Sequence, residues 1–395
     1  MAERIVSPGV FTNEIDQSFI PAALGELGAA IVGPTVKGPV LTPTVVSSYG
    51  EYVRIFGELI ESGSDNYQFL TSHTAKEYLR QGGPCTIVRV AEPAATARAT
   101  ANVDKTVYPT GSSDTIFTLE ALGDGPQFNN FVGTGSEFGT DELLKPRVHS
   151  ATNNHLLSGS YGGRANNFRW EISSRNTAKG TFTLLIRQGN DTSKRKVILE
   201  THTNLSLDPN STNYILRRIG NQTNTVASED SVAYLKPQGE FANQSKYVRV
   251  SSLPDAKKTP GWLDENGDVS DKYSGSETDY LPPVGSGSYG GAFGSGLPIT
   301  SNETTFTGQT AGSNGDENQK HPFMFYENIT DDSSQGIDMS DSAEKPSGAA
   351  AGGGYGTALS ILSNKDEYNF NLLFIPGVID QATGDSDHNV IIGQA

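Results

Sequence analysis

Apolar residues fall along this chain in short bursts, and their spacing switches between two periods. The densest burst is FNLLFIPGV (Phe370–Val378), close to the chain's end. A run of that density reads as a strand in the middle of a sheet, covered on both faces. GAAIVG (Gly28–Gly33) and CTIVRV (Cys85–Val90) have the same character. Between those two the period becomes helical. Tyr49, Tyr52, Val53 and Phe56 form one stripe behind Ser48, which makes a capping box with Glu51, and Gly57 stops the helix. A second helix is predicted over Asp65 to Gln81, with Tyr67, Leu70, Thr74 and Tyr78 on one side and Gly82 and Gly83 as its stop. Three prolines, Pro34, Pro39 and Pro43, keep the stretch before the first helix extended.

The middle of the chain reads differently. Residues 96–158 are rich in Gly, Asn and Thr, with β-like pieces such as TIFTLEAL. Over 159–253 strands dominate: NFRWEISS, TFTLLIRQ, RKVILETHT and YVRVSSL alternate between turn residues. One helix-like piece, STNYILRRIG, follows the N-cap candidate Ser211. Residues 254–345 have the composition of loops, as in GSGSYGGAFGSG and TDDSSQG. Helix and strand return together at GTALSILSNKDEYNFNLLFIPGV, with a helix from Thr357 to about Ser363.

The simplest topology has the last strand completing the sheet begun by residues 28–90. The expected fold class is therefore α+β multidomain: a discontinuous α/β core domain with large β-rich insertions and an extended N-terminal arm. The core is built from 21–95 and 346–395, the β-rich insertions are 96–158 and 159–253, and a polar Gly/Ser-rich insertion spans 254–345. The arm is residues 1–20. Within it Val10, Phe11, Thr12, Asn13, Glu14 and Ile15 make a β-prone stretch between Pro8-Gly9 and Pro21, with too little apolar surface to fold alone.

Composition narrows the function. Hydrophobic residues are 35% of 395, and the formal net charge is −16. An acidic chain without clustered Lys and Arg is not a general nucleic-acid binder. No run reaches the ~20 apolar residues a membrane-spanning helix needs. The first twenty residues lack a secretory signal's basic head and apolar block, and the single cysteine, Cys85, fits a reducing compartment.

Candidate chemistry is sparse. GSGSYG (Gly285–Gly290) satisfies G-x-G-x-x-G by letter, but no predicted strand precedes it and no helix follows, so it reads as a flexible loop. GGGYGTALSIL could present helix-terminal amides to an anion, yet it lacks a P-loop lysine and reads as close packing at a junction. DENGD (Asp264–Asp268) puts its glycine fourth rather than sixth for a calcium loop and reads as a surface turn. The six histidines show no metal-ligand spacing, and His73 lies off its helix's apolar stripe, as a solvated residue. Cys85 opens a buried strand, where an inert thiol is expected. Trp170 and Trp262 could stack on a sugar but are more often core or turn filler. No catalytic residue, metal ligand or cofactor site is assigned, which favours a structural or binding role over an enzyme.

Several segments together resemble tail sheath proteins, the contractile sleeves of certain bacteriophages and related injection machines. They are SPGVFTNEID, AAIVGPTVKGPV, SSYGEYVRIFG and QGGPCTIVRV, then GSYGGRANNFRWEI and NLSLDPNSTNYILRRIG, and finally EYNFNLLFIPGV. The likeness covers roughly 1–95, 159–220 and 348–378. It implies a subunit that polymerises as stacked hexameric rings around a tail tube, assembled in the host bacterial cytoplasm and carried in the virion tail. The implied partners are further copies of the chain, a tail tube protein, and baseplate and tail terminator proteins, with no nucleic acid and no membrane insertion. Arms that add strands to neighbouring subunits are implied too, and Val10–Ile15 is the segment that fits. The family's C-terminal, tube-contacting domain has no counterpart before Ala395. Two other classes stay open: a different self-assembling viral shell or fibre protein, and a carbohydrate-binding adhesin or carbohydrate-active enzyme.

Overall fold

The computed structural model describes residues 28–62, 65–81, 83–91, 98–105, 114–124, 168–189, 191, 194–229, 232–288, 329, 333–335, 337–338, 354–379 and 387–395. The α/β part opens with β1 (Ala29–Pro34), β2 (Thr44–Val46), α1 (Tyr49–Phe56), the hairpin β3 (Ile60–Ser62) and β4 (Asp65–Tyr67), α2 (Leu70–Gln81) and β5 (Cys85–Val90). There follow β6 (Thr100–Asp104), β7 (Thr115–Ala121), β8 (Phe168–Asn176), β9 (Thr181–Gln188), β10 (Ile198–Ser206) and α3 (Ile215–Ile219). Next come β11 (Thr223–Glu229), β12 (Val232–Gln238), β13 (Val248–Ser252), α4 (Glu277–Tyr280), β14 (Gly285–Ser288), β15 (Ser333–Ser334) and β16 (Ile337–Asp338). The chain then returns with α5 (Tyr355–Leu362), β17 (Leu372–Phe374) and α6 (Asp387–Gln394). The fold is α+β and multidomain, with its α/β core built from both ends of the described chain.

That core is a sheet of order β17-β1-β5-β2. β1 runs parallel to β5, with Ile31 opposite Ile87, and parallel to β17, with Ala29 opposite Leu372 and Ile31 opposite Phe374. β2 pairs antiparallel with β5. Alternate residues of β1 serve two interiors. Ala29 and Ile31, with Cys85 and Ile87, face Tyr52 and Phe56 of α1 and Ala75 of α2. Ala30 and Val32, with Val88 and Val90, face Tyr355, Ala358, Leu359 and Leu362 of α5, together with Ala233 of β12 and Ile391 of α6.

The capping box forms at α1: Ser48 Oγ accepts from Glu51 N at 3.3 Å. Its return arm goes to Ser47 rather than Ser48, for Glu51 Oε2 accepts from Ser47 N at 3.1 Å. Gly57 ends the helix at φ +77, in the left-handed region that favours glycine.

Four expectations need correction. α2 begins at Leu70, not Asp65, because Asp65–Tyr67 pairs with Ile60–Ser62 as a hairpin. Its buried residues are Thr71, Ser72 and Ala75, while Leu70 is exposed. Small residues line that face because the helix lies close on β1; a Cβ at Gly33 would sit 2.3 Å from Thr71 Oγ1. α3 is capped at Tyr214 without a side-chain bond, and Ser211 Oγ instead accepts from Asn213 N in a turn. GSGS of the supposed glycine loop is β14, paired with β8 from Gly285 opposite Ile172 to Ser288 opposite Arg169. Strand pairing uses main-chain groups, so small residues suffice where an edge needs covering.

The fourth correction concerns FNLLFIPGV. Among the described residues it is not a central strand but a three-residue edge, with Leu372 42% exposed and Leu373 and Phe374 half-buried. Leu373 packs on the α5 side and Phe374 on the α1–α2 side, where Tyr78 meets its ring at 6.0 Å. Apolar density records contact with both interiors and says nothing about a neighbour on each flank.

The β-rich part has its own interior. The sheet β13-β7-β6 packs against β10-β9-β8-β14, with Phe117 stacked on Phe182 at 5.8 Å. Residues from Ala99 to Leu281 contribute, so the stretch after Leu253 supplies core as well as loop. Trp262 stacks on Tyr273 at 5.0 Å, and its indole N–H donates to Thr177 O.

Candidate strand-docking edge and the junction behind it

β17 is held to β1 by short parallel pairing that starts where Asn371 N donates to Gly28 O at 2.8 Å. Among the described residues β1 is its one strand neighbour. Among the described residues, therefore, no strand pairs with the opposite flank of β17. Sheet edges are ordinarily blunted by charge, proline or a bulge. β17 is Leu-Leu-Phe, with neither charge nor proline in it, and Leu372 projects into solvent. The turn after it bonds at Val378 N to Ile375 O, and Ile379 N donates to His388 Nδ1 of α6 at 3.1 Å. α6 packs through Ile391 into the α5 interior while Val390 and Ile392 are exposed.

The C-terminal end of β5, an inner strand of the sheet, meets the β-rich part through a set of buried and part-buried charges. Arg89, at the end of β5, donates from one guanidinium nitrogen to Gly38 O at 2.6 Å and Asp124 O at 2.8 Å. Asp124 accepts from Val40 N at 2.7 Å and from Arg98 Nε at 2.7 Å. Arg98 also reaches Glu120 at 3.3 Å and Thr223 Oγ1 at 2.8 Å. Glu120 in turn accepts from both Nε and Nη2 of Arg249. Burial lowers Arg89 to about 10, with Asp124 opposing the shift. Burial also works against charge on Arg98, yet Asp124 and Glu120 leave it raised. A cleft of about 170 Å³ beside this network is lined by Pro39, Arg98, Gln222, Thr223, Asn224 and Asn243 among others.

The candidate arm residues Val10, Phe11, Thr12, Asn13, Glu14 and Ile15 lie outside the described residues. Asp264–Asp268 is a surface turn, with Asp264 Oδ1 accepting from Asn266 N and Asp268 N at 2.9 Å each. His73 is exposed. His202 meets Glu200 at 3.2 Å; burial opposes the Glu200 charge, but hydrogen bonds from His202, Ser245 and the Lys246 amide leave its carboxyl lowered. Among the described residues no group of three or more His, Cys, Asp or Glu could hold a metal ion. None of the described helices is long and apolar enough to cross a membrane. Trp170 and Trp262 are both buried, so neither offers a ring to a sugar.

Cys85 is 2% exposed beneath α1 and α2, and burial pushes its thiol up to about 12. The thiolate is the reactive form, so labelling by a thiol reagent at pH 8 is expected to wait for unfolding. Labelling time courses across a denaturant series check this: the rate should follow unfolding, not reagent concentration.

The junction charges were not readable in advance, since Arg89, Arg98, Asp124, Glu120 and Arg249 are scattered over four segments. Charge in otherwise apolar or β-like runs (Arg89 in CTIVRV, Arg249 in YVRVSS) was the one available signal.

No family model matches the chain, and no curated protein matches it at a significant level. Solved structures with some likeness include a sheath tail protein from Desulfitobacterium hafniense, 12% identical, with a TM-score of 0.25 over 62% of this chain and 39% of that one. A sheath tail protein from Listeria innocua is 9% identical, with a TM-score of 0.25 over 58% of this chain. The chain thus spans 39% and 34% of the lengths of these two proteins.

Proposed function

We propose that the chain is a structural subunit of a contractile tail sheath, polymerising through strand exchange between copies. The observation that carries this reading is β17: an uncharged, half-exposed edge that closes a sheet built from both ends of the chain. The ordered sequence resemblance supports it independently. In the finer form, hexameric rings stack around a tail tube between baseplate and terminator proteins, in a virion tail. Contraction is a switch between two packings of the same subunits, the extended one metastable, and it drives the tube through the target envelope.

Strand addition suits such a machine because main-chain bonds hold whatever the side chains are. Each is worth only about 1 kcal/mol net, so the array rather than any one arm gives strength. Linked rigid bodies can then rotate without parting.

Electron micrographs of the purified full-length protein test the reading. Hollow cylinders of stacked rings are expected. Closed shells or solid rods would move the protein to another self-assembling class, and glycan binding by monomers would move it to the adhesins.

A further inference from the structure

The hairpin β15–β16 lies in a stretch whose composition reads as loop, yet Ser334 is fully buried and Gln335 is 5% exposed. Gln335 has φ +55, a left-handed conformation that a residue with a Cβ keeps only where its surroundings hold it. Its own amide does the holding. Oε1 accepts from the amide of Leu70, the first residue of α2, at 2.7 Å. Nε2 donates to Pro376 O at 2.8 Å. Beside it Ser334 Oγ donates to Gly377 O at 2.8 Å.

A carboxamide carries an acceptor and a donor on one planar head; a carboxylate keeps the acceptor and loses the donor. Gly377 permits the approach. It has φ +88, and a Cβ there would lie 2.5 Å from Ser334 Oγ and 2.7 Å from Gln335 Nε2. Pro376 and Gly377 stand two and three residues past the end of β17. Whatever fixes that turn fixes where the edge strand stops.

We infer that Gln335 is a positioning residue for strand addition. Its amide ties the turn that ends β17 to the first turn of α2, and so presents the outer flank of β17 in one fixed register. The positioning role rests on the strand-addition reading, whereas the clasp stands on the hydrogen bonds alone.

Residue-resolved amide exchange on the full chain, with assembly followed by light scattering, separates the two. In Gln335→Ala, exchange at Leu70, Val378 and Ile379 should quicken about tenfold or more. In Gln335→Glu it should quicken at Val378 and Ile379 while Leu70 stays protected, because the acceptor remains. General loosening of the fold would move all three amides together in both variants. Assembly of both variants should slow, by more in Gln335→Ala. Gly377→Ala attacks the same contact from the other side and should behave like Gln335→Glu. Unchanged amides overturn the clasp. Changed amides with unchanged assembly overturn the positioning role. Failure of the wild-type chain to assemble overturns the strand-addition reading and the positioning role with it, leaving the clasp to the exchange data.

Discussion

Deleting residues 1–16 is expected to abolish polymerisation and to leave the melting temperature of the subunit unchanged. On the reading that the arm pairs with a neighbouring copy, its removal leaves the subunit's own described interiors intact. Between chains the magnitudes are delicate. The six residues Val10–Ile15, added to an edge, gain about 1 kcal/mol net per main-chain bond. Ordering them costs about 1–2 kcal/mol each, so hydrogen bonds alone fall short. Burial of Val10, Phe11 and Ile15, at about 1.5–3 kcal/mol apiece when complete, tips the sum. One arm then binds weakly, and a ring of arms binds well. Sedimentation and calorimetry on the same preparation provide the check. A large fall in melting temperature would show the arm packed on its own body, and surviving cylinders would show that another contact joins the subunits. Leu372→Lys should reproduce the deletion in milder form, since a lysine on the open flank of β17 is the usual device against pairing.

The parts of this fold that were legible in the sequence are those decided by neighbours along the chain. Ser48 and Glu51 announced α1, and CTIVRV announced β5, because caps and buried runs are local. The union of residues 28–90 with the terminal burst in one sheet was legible as the simplest topology, since both stretches carry strands of the same dense apolar character, and β17 does pair with β1. Failures came where tertiary contact overrode local pattern. Tyr67 fell at helical spacing yet was claimed by the β3–β4 hairpin. GSGS had no strand propensity, but β8 left an edge that main-chain bonding could cover. Apolar density could not tell an edge strand from a central one, which hid the feature on which the proposed strand addition rests. Gln335 was the least visible: one amide in a polar stretch, meeting Leu70 and Pro376 only after the chain has turned back on itself.

The junction carries the second large expectation: Asp124→Ala should destabilise the chain by about 3–5 kcal/mol, the usual cost of leaving buried charge without its partner. Its carboxylate is 8% exposed and serves the Val40 amide on the α/β side and Arg98 on the β-rich side. It is also the carboxylate that opposes the burial of Arg89. Removing it takes a partner at 2.7 Å from Arg98, which keeps Glu120 at 3.3 Å, and takes away the negative charge near buried Arg89, whose bonds are to backbone carbonyls. Asp124→Asn retains an acceptor for Val40 and should cost less. Pairing Asp124→Leu with Arg98→Met should recover part of the loss, since a buried pair replaced by apolar groups of similar volume is often near neutral. Denaturant unfolding of the three variants decides the matter. A loss below about 1 kcal/mol for Asp124→Ala would place the junction among surface-like ion pairs and leave apolar contact to join the two bodies. A large loss, partly restored in the double variant, means that charge as well as apolar contact locks the β-rich body to the α/β sheet. On the proposed sheath reading, such a lock would let the two bodies turn as one unit when neighbouring copies pull on the subunit.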